Sequence, residues 1–98
     1  MKGIKHLSSK FNPSMIRVIF ERDKGMCVYC GAPAQQIDHV IPVKDGGQPI
    51  RSNGICVCRS CNMYKHHHPE DIGMLTRAIF WLMQCGEDTA WMDEFYNH

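Results

Sequence analysis

No apolar run in the sequence approaches the ~20 residues a membrane-spanning helix needs, so no helical membrane anchor is expected. There is no internal repeat, and no biased tract beyond His66-His67-His68, which excludes solenoids and low-complexity linkers. The opening MKGIKHLSSKF has lysines but no apolar stretch after them, so a secretory signal is not expected and a soluble, cytoplasmic protein is. A second core is excluded as well, because 98 residues suffice for one small domain. With 44% hydrophobic and 21% charged residues the composition is that of a folded chain, so wholesale disorder is also excluded.

What the chain does have is cysteine and a polarised charge. Six cysteines in a chain expected in a reducing compartment favour metal binding over disulfides, and a small core gains from a structural metal. The net charge of +1 divides into +6 over residues 1–68 and −5 over residues 69–98. The basic part suits a polyanion such as nucleic acid and the acidic end does not, although an ordinary polarised surface would look the same.

Residues 1–10 read as a basic, mobile arm. Asn12-Pro13 is a helix start, and Met15, Ile16, Ile19 and Phe20 recur at helical spacing until Gly25, which predicts a helix over 13–24. The β-branched stretch from Ile37 to Val43 predicts a strand ended by Pro42 and the Asp45-Gly46-Gly47 loop, and Gly54 to Val57 predicts its antiparallel partner. A short helix is expected from Ser60 to about His68, stopped by Pro69. A second is expected over 70–85, where Ile72, Leu75, Ile79 and Leu82 form one stripe and Met74, Ala78, Trp81 and Cys85 a neighbouring one. So wide an apolar arc predicts burial on more than one side, either across the core or against a second copy or another protein partner. A last helix is expected from Thr89 to Tyr96 behind Asp88.

Cys27-x-x-Cys30 and Cys58-x-x-Cys61 stand 27 residues apart. Each two-residue spacer lets a knuckle present two thiolates to one ion, and four thiolates satisfy tetrahedral zinc while closing the chain between them into a loop. Cys56 and Cys85 read as small buried hydrophobes rather than ligands.

Within that loop lie Asp38-His39 and Asn53, and Asn62 follows the last cysteine. Singly, each has an ordinary structural reading. Together the pieces are specific: Arg22-Asp23-x-Gly25, Cys30-Gly31-x-Pro33, Asp38-His39-x-Ile41-Pro42, Gly46-Gly47, Asn53 five residues before Cys58, and Cys58-x-x-Cys61-Asn62-x-x-Lys65. This pattern, over roughly residues 16–66, closely resembles the HNH endonuclease family in its zinc-knuckle form. The third signature position carries Asn62 in place of histidine, as in the active HNN variants. The resemblance implies a ββα-metal (His-Me finger) core, two strands and a helix, placed here within an α+β fold over 11–68 with the four-cysteine zinc site; the N-terminal helix and the helical extension over 69–98 rest on periodicity, and the C-terminal helices have no counterpart in the resemblance.

It also implies a metal-dependent DNA endonuclease or nickase, of the small stand-alone kind that tailed phages encode. On that resemblance Asp38 and Asn62 hold a catalytic divalent ion, His39 is the general base, and Asn53 holds the loop and orients the histidine. A carboxylate and a carboxamide are hard oxygen donors that suit magnesium or manganese, whereas thiolates suit zinc. An imidazole titrating near ~6.5 suits proton abstraction at neutral pH. Because Asp38 and His39 are adjacent in a strand they should point to opposite sides, so local distortion or a bridging substrate must bring both to one phosphate. Lys65, Arg59 and Arg51 are candidates for phosphate contact. His66 lies four residues after Asn62 on the same helix face and could add a nitrogen ligand, but the three histidines read more simply as a helix end. Two other readings use the same residues: a non-catalytic zinc-ribbon module that binds nucleic acid, and a nuclease subunit docked to a partner through the 70–85 helix.

Overall fold

The structure is a computed structural model that describes residues 10–96; the arm expected over 1–10 lies outside the described residues except for Lys10. Its order is α1 (Pro13–Arg22), β1 (Gln36–His39), β2 (Gly54–Val57), α2 (Arg59–His67), α3 (Ile72–Gln84) and α4 (Asp93–Tyr96), with short 3-10 turns at Val43–Asp45, Arg51–Asn53 and Ala90–Met92. This is the small α+β fold expected, with the two antiparallel strands and the helices of a ββα-metal core. Among the described residues no helix is long and apolar enough to cross a membrane.

The first helix starts where Asn12 caps it: the Asn12 side-chain oxygen accepts the Met15 N–H at 2.8 Å, and Pro13 occupies the first turn. β1 and β2 pair with Gln36 opposite Val57, Ile37 opposite Cys56, Asp38 opposite Ile55 and His39 opposite Gly54. Residues opposite one another share a face, so this register sorts every side chain of the ribbon. Ile55 and Val57 enter one core cluster with Val40, Ile41, Ala78 and Leu82. Cys56 and Ile37 enter the other with Phe11 and Ile19 of the α1 side. All four residues of β2 are buried, which is why the strand is apolar without alternation. Gly54 lets α1 close on the ribbon: a Cβ there would come within 2.6 Å of Ile19 Cδ1 and 2.8 Å of Phe11 Cε1.

β1 is shorter than the predicted strand and ends at His39. Beyond Gly54 the partner chain turns through Arg51–Asn53, and Asn53 takes over the pairing. Its carbonyl accepts the Val40 N–H at 2.9 Å, and its side chain engages Ile41. Val40 and Ile41 are therefore buried and paired without being strand. Gly47 packs against the same point, where a Cβ would lie 1.7 Å from the Ile41 oxygen.

The 70–85 helix is covered on one side rather than several. Ala78 and Leu82 are buried and Leu75, Ile79 and Trp81 partly so, while Ile72, Phe80 and Met83 are 73%, 62% and 53% exposed. Among the described residues no element lies over that outer stripe to bury it.

Between α1 and α3 sits a buried carboxylate. Asp23 meets Arg22 twice, Nε at 2.7 Å and Nη2 at 3.0 Å, and accepts the Cys56 N–H at 2.9 Å and Trp81 Nε1–H at 2.7 Å. Arg22 donates onward to the Gly54 carbonyl at 2.6 Å, to the Arg51 carbonyl at 2.9 Å and to Glu87 at 3.3 Å. One ion pair thus ties α1, β2, α3 and the segment after α3 to each other.

Candidate active site

The four knuckle cysteines converge. Cys27, Cys30, Cys58 and Cys61 have their sulfurs within 4.8 Å of one another, and Cys30 Sγ lies 3.7 Å from Cys58 Sγ. Tetrahedral zinc with ~2.3 Å bonds to sulfur sets neighbouring sulfurs about 3.8 Å apart, so this cluster is compatible with one ion. The first knuckle closes through Gly31 N–H to the Cys27 carbonyl at 2.8 Å and Cys27 N–H to the Ala32 carbonyl at 2.7 Å. The second is the first turn of α2, where Cys58 Sγ caps the helix by accepting the Cys61 N–H at 3.4 Å.

The four thiols differ in how readily they ionise. Burial pushes the Cys27 thiol up, but backbone N–H groups of Cys58, Cys30 and Tyr29 aimed at its sulfur outweigh this and bring it down to about 7. Cys61 is driven the other way, by burial first and then by the Cys58, Cys30 and Cys27 sulfurs beside it. Four crowded thiols cannot all ionise alone, and a divalent ion removes that conflict. Cys56 stands apart: burial first, then Asp23, pushes its thiol up to about 12, which leaves it a buried apolar group.

Beside this cluster, α2 packs on the face of β1 that carries Gln36 and Asp38. Asn62 Nδ2 donates to Gln36 Oε1 at 2.7 Å. One turn on, Lys65 Nζ donates to Asp38 Oδ2 at 2.5 Å and to the His39 carbonyl at 2.8 Å. Asn62 and Lys65 therefore face two successive side chains of one strand face, with Asp38 buried between strand and helix. The Asn62 side-chain oxygen is buried and has no hydrogen-bond partner among the described residues. An orphaned carboxamide oxygen on the face that bears a carboxylate is a donor set that fits a hard divalent cation, magnesium or manganese.

His39 lies on the other face. Its ring packs on Phe11, centroids 4.6 Å apart and planes inclined by 40°. The register explains this, since His39 pairs with Gly54, whose face is closed by Phe11 and Ile19. The pairing register runs without a break through His39, and Asp38 and His39 diverge as alternation requires. Because β1 ends at His39, both residues nevertheless line one cleft of about 630 Å³, together with Lys44, Lys65, His66 and His68.

Asn53 is fully buried. Its Oδ1 accepts the Ile41 N–H at 2.8 Å and its Nδ2 donates to the Ile41 and Gln48 carbonyls at 3.1 and 2.9 Å. It touches backbone only, two residues beyond His39. Arg51 is not a free cation: its Nε lies 3.0 Å from Glu87. Arg59 is exposed on the first turn of α2, with its backbone N–H capped by Gln35 Oε1 at 2.8 Å. His66 is exposed at the cleft, in the last turn of α2, so the three histidines mark the end of that helix as expected.

Three partners were not singled out from the sequence: Gln36, which orients the Asn62 amide; Gln35, which caps α2; and Asp23, whose motif was visible but whose role was not. Gln36 could have been found from the strand alternation, since it shares a face with Asp38 two residues on.

No curated protein matches the chain. Residues 27–68, the span that holds the four cysteines, Asp38, His39, Asn53, Asn62 and Lys65, match the family model described as HNH endonuclease.

Proposed function

We propose that the protein is a metal-dependent DNA endonuclease or nickase that leaves 5′-phosphate and 3′-hydroxyl ends. The observation that carries this reading is the buried, unpartnered Asn62 oxygen on the strand face of Asp38, within the segment matched to the nuclease family. Asp38 and Asn62 would hold the divalent ion, while the four cysteines hold zinc for structure. When bound, such an ion supplies positive charge to the scissile phosphate and the departing 3′ oxygen.

The chain's own residues do the rest. His39 takes the proton of the attacking water at a ring nitrogen, entering the cleft from the end of β1 while Asp38 enters from the opposite face. Phe11 holds the imidazole plane, and Asn53 fixes the backbone just beyond it. A phosphate seated across the strand end would meet both faces, which removes any need for a bent strand. Arg59 and Lys65 contact flanking phosphates; Arg51 contributes less because Glu87 shares its charge.

Supercoiled plasmid incubated with the zinc-loaded protein and magnesium or manganese tests this. Nicking is expected, and His39→Ala should abolish it with zinc content and melting temperature unchanged. Plasmid retardation without any cutting would instead identify a zinc-dependent binding module. Activity persisting in His39→Ala would reject that residue as base.

A second reading, in which two copies associate through α3, is favoured by the exposed Ile72, Phe80 and Met83 stripe. A monomeric sedimentation profile at high concentration removes it.

A further inference from the structure

The Lys65 ammonium is ringed by three oxygens. It donates to Asp38 Oδ2 at 2.5 Å, to the His39 carbonyl at 2.8 Å and, more weakly, to the Val40 carbonyl at 3.4 Å. Only 8% of the Asp38 side chain and 16% of the Lys65 side chain are exposed. One carboxylate and two carbonyls converging on a point are a cation cradle by chemistry, the donor set that hard metal ions use. Here a side chain of the same molecule fills it. A carboxylate so nearly buried requires a counter-charge, and Lys65 supplies one without any metal.

We propose that Lys65 is a resident counter-cation that keeps the Asp38 carboxylate in place and yields that place to the divalent ion, so that metal entry releases Lys65 toward the substrate phosphate. This rests on the reading that Asp38 holds the catalytic ion. An ammonium and a divalent cation repel strongly at contact distance in a partly buried site, so both cannot sit on one carboxylate oxygen. Lysine suits the exchange better than arginine would. Its charge is compact, its donors rotate, and its four-carbon stem can swing while α2 stays fixed. The cleft beside it gives the released ammonium somewhere to go, since Lys65 already lines that space. Metal-free protein is thereby kept with its acidic ligand neutralised, and the phosphate-binding charge appears in the cleft only when the ion is bound.

Manganese binding to the zinc-loaded protein without DNA decides this. In calorimetric titration Lys65→Met should bind manganese on the order of tenfold more tightly than the parent, because a charge-assisted bond no longer has to be broken. Asp38→Asn should lose the site. A second measurement uses the unaltered protein: the acylation rate at Lys65, read by mass spectrometry, should rise severalfold on saturation with manganese, while exposed Lys24 stays constant as a control. Equal or weaker manganese binding by Lys65→Met, or an unchanged acylation rate, overturns the exchange. If Asp38→Asn binds manganese as the parent does, the metal assignment under the nuclease reading fails instead. If Asp38→Asn loses binding and Lys65→Met does not gain it, only the exchange fails.

Discussion

The side-chain amide of Asn53 grips both backbone groups of Ile41, accepting its N–H at 2.8 Å and donating to its carbonyl at 3.1 Å. A side chain here takes the place of a neighbouring strand, at the point where β2 has run out of residues. It also fixes the backbone immediately after His39. Asn53→Ala would leave the Ile41 N–H and two carbonyls without partners in a buried setting, at a cost on the order of 3 kcal/mol. Asn53→Asp should be at least as damaging, since its second oxygen would face the Ile41 and Gln48 carbonyls in place of a donor. Urea denaturation of the zinc-loaded protein measures both.

Metal content gives a second expectation. The four sulfurs join the knuckle after α1 to the start of α2, so a zinc ion held by them would close the loop that contains Asp38, His39 and Asn53. One zinc per chain is expected by elemental analysis, and stripping it with a chelator should abolish cooperative melting. Cys61→Ser should do the same, because three thiolates and a hydroxyl hold zinc poorly. A Cys61→Ser protein that melts like the parent without zinc would remove the structural role.

The buried Asp23 carboxylate predicts a stability effect far from the cleft. It accepts from Arg22, Cys56 and Trp81, and every one of those donors loses a charged acceptor in Asp23→Asn. The substituted amide also brings its own N–H group into a ring made only of donors. Breaking one partner of a buried pair costs about 3–5 kcal/mol, enough to lower the melting temperature by more than about 10 °C in a domain of this size. Zinc content should not change. Differential scanning calorimetry with elemental analysis separates the two.

How much of this the sequence displays depends on the range of the interaction. The start of α1 is legible because Asn12-Pro13 is a local signal, and the limits of β2 are legible because Gly54 and Cys58 bracket it. The four cysteines are legible from spacing, since a two-residue spacer is itself the geometry of a knuckle. The end of β1 is not, because Val40 and Ile41 have strand-forming side chains and nothing nearby announces that an amide twelve residues on will replace the partner strand. The pairing of Lys65 with Asp38 is hidden for the same reason: it depends on how α2 is seated on the ribbon, across 27 positions of sequence. The outer face of α3 shows where a local pattern stops. Its apolar arc suggests burial on more than one side, across the core or against a partner, but a pattern records what a face prefers and not what covers it, and among the described residues no further element does.

The division of β1 into two faces makes a last, sharper prediction. Asp38 faces α2 with Lys65, and Asn62 beside it meets Gln36, whereas His39 faces Phe11 on the α1 side. If metal holding and proton abstraction are carried by opposite faces, they should be separable by mutation. Asn62→Ala should weaken manganese binding by about tenfold or more, since one of two protein ligands is gone, and raising the metal concentration should restore much of the nicking rate. Phe11→Leu should instead leave manganese affinity unchanged and lower the saturated nicking rate, because the imidazole loses the ring that fixes its plane. Phe11 is also a core residue, so a stability loss of about 1–2 kcal/mol is expected alongside. Nicking rates measured across a manganese titration distinguish the two patterns, and a Phe11→Leu protein whose defect is rescued by added metal would show that the faces are not independent.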